Sequence, residues 1–328
     1  MLFVLTILIA LFLLIAGYFF IGKTKPAQNI GWGVAFSQKH AQHLGLDWRE
    51  TYSALLDDLN VKKVKIASYW DLIESQDGDY DFTDLDWQLA EAQKHGAEVL
   101  LAVGMKSPRW PECHIPGWAQ NIGKESQQEK ITKFLEAVAL RYRDSNVIKG
   151  WQVENEPFFV FGECPWTDKE FLKKEVALIK SLDNQHRPII IAESGEGFFW
   201  FKAAAVGDVV GITMYKNVWI SQFGFYFTYP FPSVLYHRKA ELVRMFYDKE
   251  VICVELQAEP WGPKLLYDLS PEEGQKTMNL EQFKYNIEFA RNTGLKEFYL
   301  WGAEWWYWMK EVQKSDAIWN EARMLFNQ

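Results

Sequence analysis

Short apolar runs alternate with helix-period stretches from residue 31 almost to the end of the chain. The runs cover residues 31–36, 62–67, 97–103, 147–153, 188–193, 209–215, 250–255 and 297–301. Between them, apolar residues recur at helical spacing over 47–59, 85–95, 127–144, 169–182, 233–248 and 280–293. Gly96 follows the second of these helices, where a left-handed C-terminal residue is often needed. The runs are apolar on both faces, so they predict strands covered on both sides, as in a parallel sheet under helices. Eight such units predict a closed (β/α)8 TIM barrel over residues 30–328. A doubly wound open sheet is the alternative. It gives no reason for eight regular units, and no Gly-x-Gly-x-x-Gly opens the first helix.

Residues 1–22 form an apolar run without a charged side chain, long enough to cross a bilayer as a helix. A transmembrane anchor is the first reading and a cleaved signal peptide the second, although the basic n-region of a signal is missing. Residues 23–29 form a short linker. Lys23 and Lys25 follow the run, and the positive-inside rule would leave the barrel in the cytoplasm. The function read below places it outside. The two expectations conflict.

The fourth run ends abruptly at Val153-Glu-Asn-Glu-Pro157. Pro157 cannot donate to a sheet ladder, so pairing stops there. Strand alternation would put Glu154 and Glu156 on one face and Asn155 on the other. An acid where a buried strand opens to solvent is partly desolvated, which lifts its pKa toward the range useful for proton donation. Glu156 is the candidate acid/base, and Glu154 an auxiliary residue or a member of an ion pair.

In a barrel, chemistry sits at the C-terminal ends of the strands. Those ends carry Lys65 and Trp70, Arg109 and Trp110, Asn155 and Glu156, Glu193, Tyr215, Glu255 and Glu259, and Trp301. Two carboxyl groups across one mouth suit glycosidic bond cleavage, which needs one protonated and one ionised acid. Glu255 closes its apolar run directly, whereas Glu259 falls in the following loop as a substrate contact or cation partner. Glu193 and Glu196 are expected at the rim.

With 16 Trp, 14 Tyr and 23 Phe, the chain has aromatic rings beyond the needs of a core, as in proteins that stack flat ligands such as sugars. Trp261 and Trp305 are the expected sugar platforms. Other loop aromatics, among them Phe158, Phe159, Phe161 and Phe198 to Phe201, are read mainly as packing. The stretch 219–236 is aromatic and nearly uncharged, and reads as a packed lid, with a partner surface or a membrane patch as alternatives. The net charge of -8 argues against nucleic acid as a ligand. No Cys-x-x-Cys or His-x-x-x-His spacing points to a metal, and no cofactor is implied. Cys253 reads as a core residue. Cys113 and Cys164 lie in loops on the same barrel face, where a disulfide is sterically open; two free thiols are the alternative.

Asn155-Glu156-Pro157 resembles the acid/base motif on strand four of the retaining glycoside hydrolases of clan A, the superfamily of cellulases, mannanases and many β-galactosidases. Val254-Glu255 resembles the clan's strand-seven nucleophile, Tyr215 the tyrosine that holds it, and Trp301 the tryptophan that floors the subsite at the scissile bond. The segment from Tyr69 to Phe82, with Leu85-Asp86, and the turn Pro108-Arg-Trp-Pro111 are similar to segments of the β-galactosidase-like branches. The likeness spans most of residues 30–310. It implies a retaining β-glycosidase acting on an oligo- or polysaccharide, Asn155 binding the sugar 2-hydroxyl, and two carboxyl groups about 5 to 5.5 Å apart. Lys65 stands where the clan has an arginine, keeping the charge but not the forked donors. A catalytically silent, membrane-tethered glycan-binding barrel is the competing expectation.

Overall fold

The computed structural model describes residues 2–197 and 199–327. Among the described residues ten strands are formed: β1 Gly31–Ala35, β2 Lys63–Ala67, β3 Glu98–Val103, β4 Ile148–Val153, β5 Ile189–Glu193, β6 Val209–Met214, β7 Asn217–Ile220, β8 Phe225–Thr228, β9 Val251–Gln257 and β10 Glu297–Trp301. Eight of them close a parallel barrel in the order β1-β10-β9-β6-β5-β4-β3-β2, while β7 and β8 form a separate antiparallel ribbon. The expected barrel is present, and its eight strands are those read from the apolar runs.

Helices cover the outside of the barrel, and the main core lies between the two layers. Val99, Leu101, Ile148, Trp151, Val153, Ile189 and Ile191 point outward into it, and Phe134, Leu135, Val138 and Ile179 meet them from the helices. The helix Lys169–Leu182 starts where Asp168 accepts the amides of Glu170 and Phe171 at 2.9 and 3.0 Å, a side-chain N-cap. A second cluster fills the barrel itself, with Leu100, Ile190, Ala192, Val254 and Tyr299. At the N-terminal end Lys63 bridges Glu98 and Glu297 at 2.9 and 3.1 Å, closing the barrel with paired charges.

Strict alternation fails on β9. Ile252 and Val254 belong to the inner cluster, and Cys253 and Leu256 to the outer core. Glu255 would therefore point outward on a regular strand. The register against both neighbours slips by one residue between Cys253 and Leu256. This β-bulge turns Val254 and Glu255 to the same side, so the carboxylate enters the barrel. β9 also runs two residues past the predicted end, so Glu255 lies within the strand.

The apolar N-terminal run is a helix, Leu2–Phe20. Its window Phe3–Phe20 has a mean hydropathy of 2.7 and no buried share. Cys113 and Cys164 are disulfide-bonded, which ties the loop after β3 to the loop after β4. Cys253 is the buried residue its pattern predicted.

Candidate active site

β4 ends at Val153, and the next residues leave extended geometry. Glu154 and Glu156 have φ of 58° and 43°, left-handed values that few non-glycine residues adopt. The expected shared face does not exist, because two left-handed residues break the alternation. Glu154 turns beneath the β3 loop and accepts the amides of Met105 and Lys106 at 2.8 and 2.7 Å. Gly104, with φ of 121°, has no room for a side chain, since a Cβ there would lie 2.3 Å from the Glu154 carboxyl. Burial pushes Glu154 up to about 7. Burial and the neighbouring Glu154 raise Glu175 well above the carboxylate range, so this pair holds a proton away from the mouth.

Glu156 faces the mouth. Thr213 on β6 donates to its Oε1 at 3.3 Å. Burial first, then the charges of Glu255 and Glu112, raise its pKa well above the ordinary carboxylate value. A carboxylic acid kept protonated beside a second acid is the arrangement that proton donation needs. Asn155 is buried between Gln152, which donates to its Oδ1 at 3.0 Å, and Glu112, whose Oε2 accepts from its Nδ2 at 3.0 Å.

Glu255 is held on both oxygens. Lys65 Nζ lies 3.0 Å from Oε1, and the Tyr215 hydroxyl donates to Oε2 at 3.0 Å. Lys65 also donates to the Val254 carbonyl at 3.3 Å. A carboxylate held on one oxygen by a buried ammonium and on the other by a half-buried hydroxyl has the fixed orientation that a nucleophile needs. Glu259 is occupied otherwise: it pairs with Arg109, and His40 lies 3.5 Å away. Although burial acts upward, Arg109 and His40 outweigh it and hold Glu259 at about 2. Glu259 is thus a cation partner, one of the two roles foreseen for it.

The aromatic candidates divide. Trp70 has no exposed surface, donates to Glu74 at 2.6 Å and packs on Trp118 and Phe134, so the expected mouth residue is a core residue. Trp305 is also buried in the main core, because the helix Ala303–Glu311 turns it inward, and it offers no platform. Trp110 is 42% exposed and touches Phe161 at the rim. Trp261 meets Phe161 and packs edge-to-face on Tyr215, with ring centroids 6.0 and 5.1 Å apart. Trp110, Phe161 and Trp261 therefore form a chain of ring contacts that ends on Tyr215, the hydroxyl donor to Glu255. Glu196 is no rim acid: it accepts the Tyr215 amide at 2.7 Å and braces that residue from behind. Glu193 is half-buried and accepts the Ala203 amide at 3.3 Å. Phe198 lies outside the described residues.

Three residues absent from the expected site, or given no role in it, belong to it. Arg109, with φ of 85°, bridges Glu259 and Glu304 and stacks on Trp301, its Cζ 3.9 Å from the ring centroid. Glu112 sits beside Asn155, and burial and the Glu255 charge push it up to about 8. Lys106 crosses behind to the carbonyls of Glu156 and Phe159 at 3.1 and 2.8 Å. The one available signal was the charge density of the Lys106–Cys113 loop beside a cysteine. Within this arrangement, the cavity bounded by Ser37, Lys65, Tyr69, Arg109 and Trp301 measures about 10 Å³, room for one water.

No family model matches the chain. A mannan endo-1,4-beta-mannosidase of Solanum lycopersicum is 23% identical over 227 residues, 58% of this chain and 56% of that protein. The beta-galactosidase BgaA of Clostridium cellulovorans is 24% identical over 187 residues, 51% of this chain and 28% of its own length. The chain thus spans about half or less of the length of these curated relatives. Among solved structures, GH5_18 from Streptomyces cattleya superposes with a TM-score of 0.56 at 13% identity, over 85% of this chain and 71% of that one. At that identity the superposition shows the fold. The resemblance to clan A glycoside hydrolases holds: the named relatives are glycosidases, and the barrel is shared.

Proposed function

We propose that the chain is a retaining β-glycosidase whose catalytic barrel, residues 30–328, is tethered to a membrane by residues 1–22. The observation that carries this reading is the unequal treatment of two facing acids. Glu255 is gripped by Lys65 and Tyr215, while Glu156 is held in its acid form by burial and by Glu255 itself. Glu255 attacks the anomeric carbon as Glu156 gives its proton to the departing glycosidic oxygen, forming a glycosyl ester. Glu156, now a carboxylate, takes a proton from water. That water displaces Glu255 and releases the sugar. The proton taken from water leaves Glu156 in its acid form again, and the displaced Glu255 departs as a carboxylate, so both residues are restored.

The relatives' names make β-mannosides and β-galactosides the first substrates to test. Asn155 meets the 2-hydroxyl, and Trp110 and Trp261 line the approach. Incubation with 2-fluoro β-mannosyl and β-galactosyl fluorides, followed by peptide mapping, is the direct test. An ester on Glu255 is expected, and labelling elsewhere or at Glu259 would overturn the assignment.

One observation favours a second reading, a glycan-binding barrel without turnover. Arg109 covers Trp301 and Glu112 holds Asn155, so two of the expected sugar contacts are already engaged by protein groups. Hydrolysis therefore requires the Arg109–Glu112 loop to yield to the sugar. Tight binding of a β-glycan with no turnover and no ester would establish the binder.

A further inference from the structure

The aromatic stretch after β6 has an order that a packed lid does not need. From Phe223 to Phe231, alternate residues Phe223, Phe225, Phe227, Tyr229 and Phe231 are all aromatic; Phe225 and Phe227 share one face of β8, with Phe223 in the turn before it and Tyr229 and Phe231 in the segment after it. The rings touch in succession, with centroids 6.0, 6.4, 5.2 and 5.6 Å apart. The opposite face is occupied: Tyr226 packs on Trp219 and donates to Glu273. The aromatic face is progressively open, reaching 46% exposure at Phe225 and 76% at Phe223. No charged side chain lies between Lys216 and His237.

The ladder ends on the N-terminal helix. Phe231 meets Phe20 at 6.4 Å, and a second track from Phe19 passes through Phe199 and Phe201 to Phe246, which is 64% exposed. Both exposed aromatic tracks therefore start at the foot of the apolar, unburied helix Leu2–Phe20.

We infer that this aromatic flank rests in the headgroup region of a lipid bilayer, continuing the surface that the N-terminal helix begins. The inference rests on that helix being an anchor. Aromatic rings are favoured at the membrane interface, where burying their apolar faces is rewarded and backbone polar groups stay hydrated. The base of the ribbon is clamped to β9: the amides of Lys216 and Asn217 donate to Gln257 at 2.8 and 2.9 Å, two residues beyond Glu255. Seating the ribbon on lipid sets the mouth beside the headgroups.

The test uses the full chain in phosphatidylcholine vesicles, with a bimane label on Phe223→Cys, on Phe246→Cys, or on the exposed control Lys133→Cys. Circular dichroism checks that each variant is folded. Flotation reports the anchor, and quenching by doxyl lipids reports the flank. We expect flotation of all three, about twofold quenching at positions 223 and 246, and none at 133. Flotation with no quenching at 223 overturns the flank while leaving the anchor intact. Failure to float overturns the anchor and the inference with it. Crosslinking of two chains through position 223 without quenching assigns the face to a second copy and overturns the lipid.

Discussion

Replacing Lys65 with methionine would remove the ammonium that the structure places 3.0 Å from Glu255 while nearly conserving side-chain volume. Both partners are sealed, with side-chain exposures of 1% and 4%, so water cannot take over the lost contact. Breaking a buried pair from one side leaves an uncompensated charge, which costs about 3–5 kcal/mol. The Tyr215 hydroxyl still donates to Glu255, so the lower half of that range is expected. The assay is urea unfolding of the full chain followed by tryptophan fluorescence. Adding Glu255→Gln to Lys65→Met should restore most of the loss, because a buried pair replaced on both sides is often nearly neutral. Lys65→Met within about 1 kcal/mol of the parent would refute the role of Lys65 as counter-charge. A double variant no more stable than the single one would assign the cost to packing.

Glu156→Gln should slow substrates with poor leaving groups far more than activated aryl glycosides; equal slowing means that Glu156 is not the acid. In the parent chain, kcat/KM for the poor leaving groups should fall as pH rises through the raised pKa of Glu156, and the variant should lack that limb. Glu112 binds its proton more tightly folded than unfolded. Its contribution to stability is complete below about 4.3, the unfolded value, and is lost as pH rises toward about 8. Denaturation midpoints of Glu112→Gln measured across that window should slope less than those of the parent; an identical slope contradicts the protonated carboxyl. Reducing the Cys113–Cys164 bond, which spans 51 residues, should lower stability by about 4 kcal/mol on chain-entropy grounds. Unfolding with and without reductant measures it, and an unchanged midpoint would show the cross-link to be energetically idle.

Local periodicity carried the architecture. Continuous apolar runs and helix-period stretches are each decided by neighbouring residues, so eight barrel strands and the apolar N-terminal helix were legible in the chain. Glu156 was legible for the same reason, as an acid where a buried strand must stop at proline. Other features depend on atoms distant in sequence. The bulge that turns Glu255 inward arises from register against β6 and β10, and simple alternation points that residue out of the barrel. The left-handed turns at Glu154 and Glu156 are held by the β3 loop, which captures Glu154 and separates two acids that alternation had paired. Trp70 and Trp305 read as mouth residues because composition does not distinguish a ring that stacks on sugar from one that fills a core; only packing decides that. Arg109 and Glu112 enter the site because a loop crosses the mouth and brings charge onto Trp301 and Asn155. Sequence alone therefore determined which eight runs become the barrel strands, to within a residue or two at their ends, and which acid follows the fourth of them. Tertiary structure decided which way those residues point and what already stands in front of them, because register and loop crossings are set by contacts between distant parts of the chain.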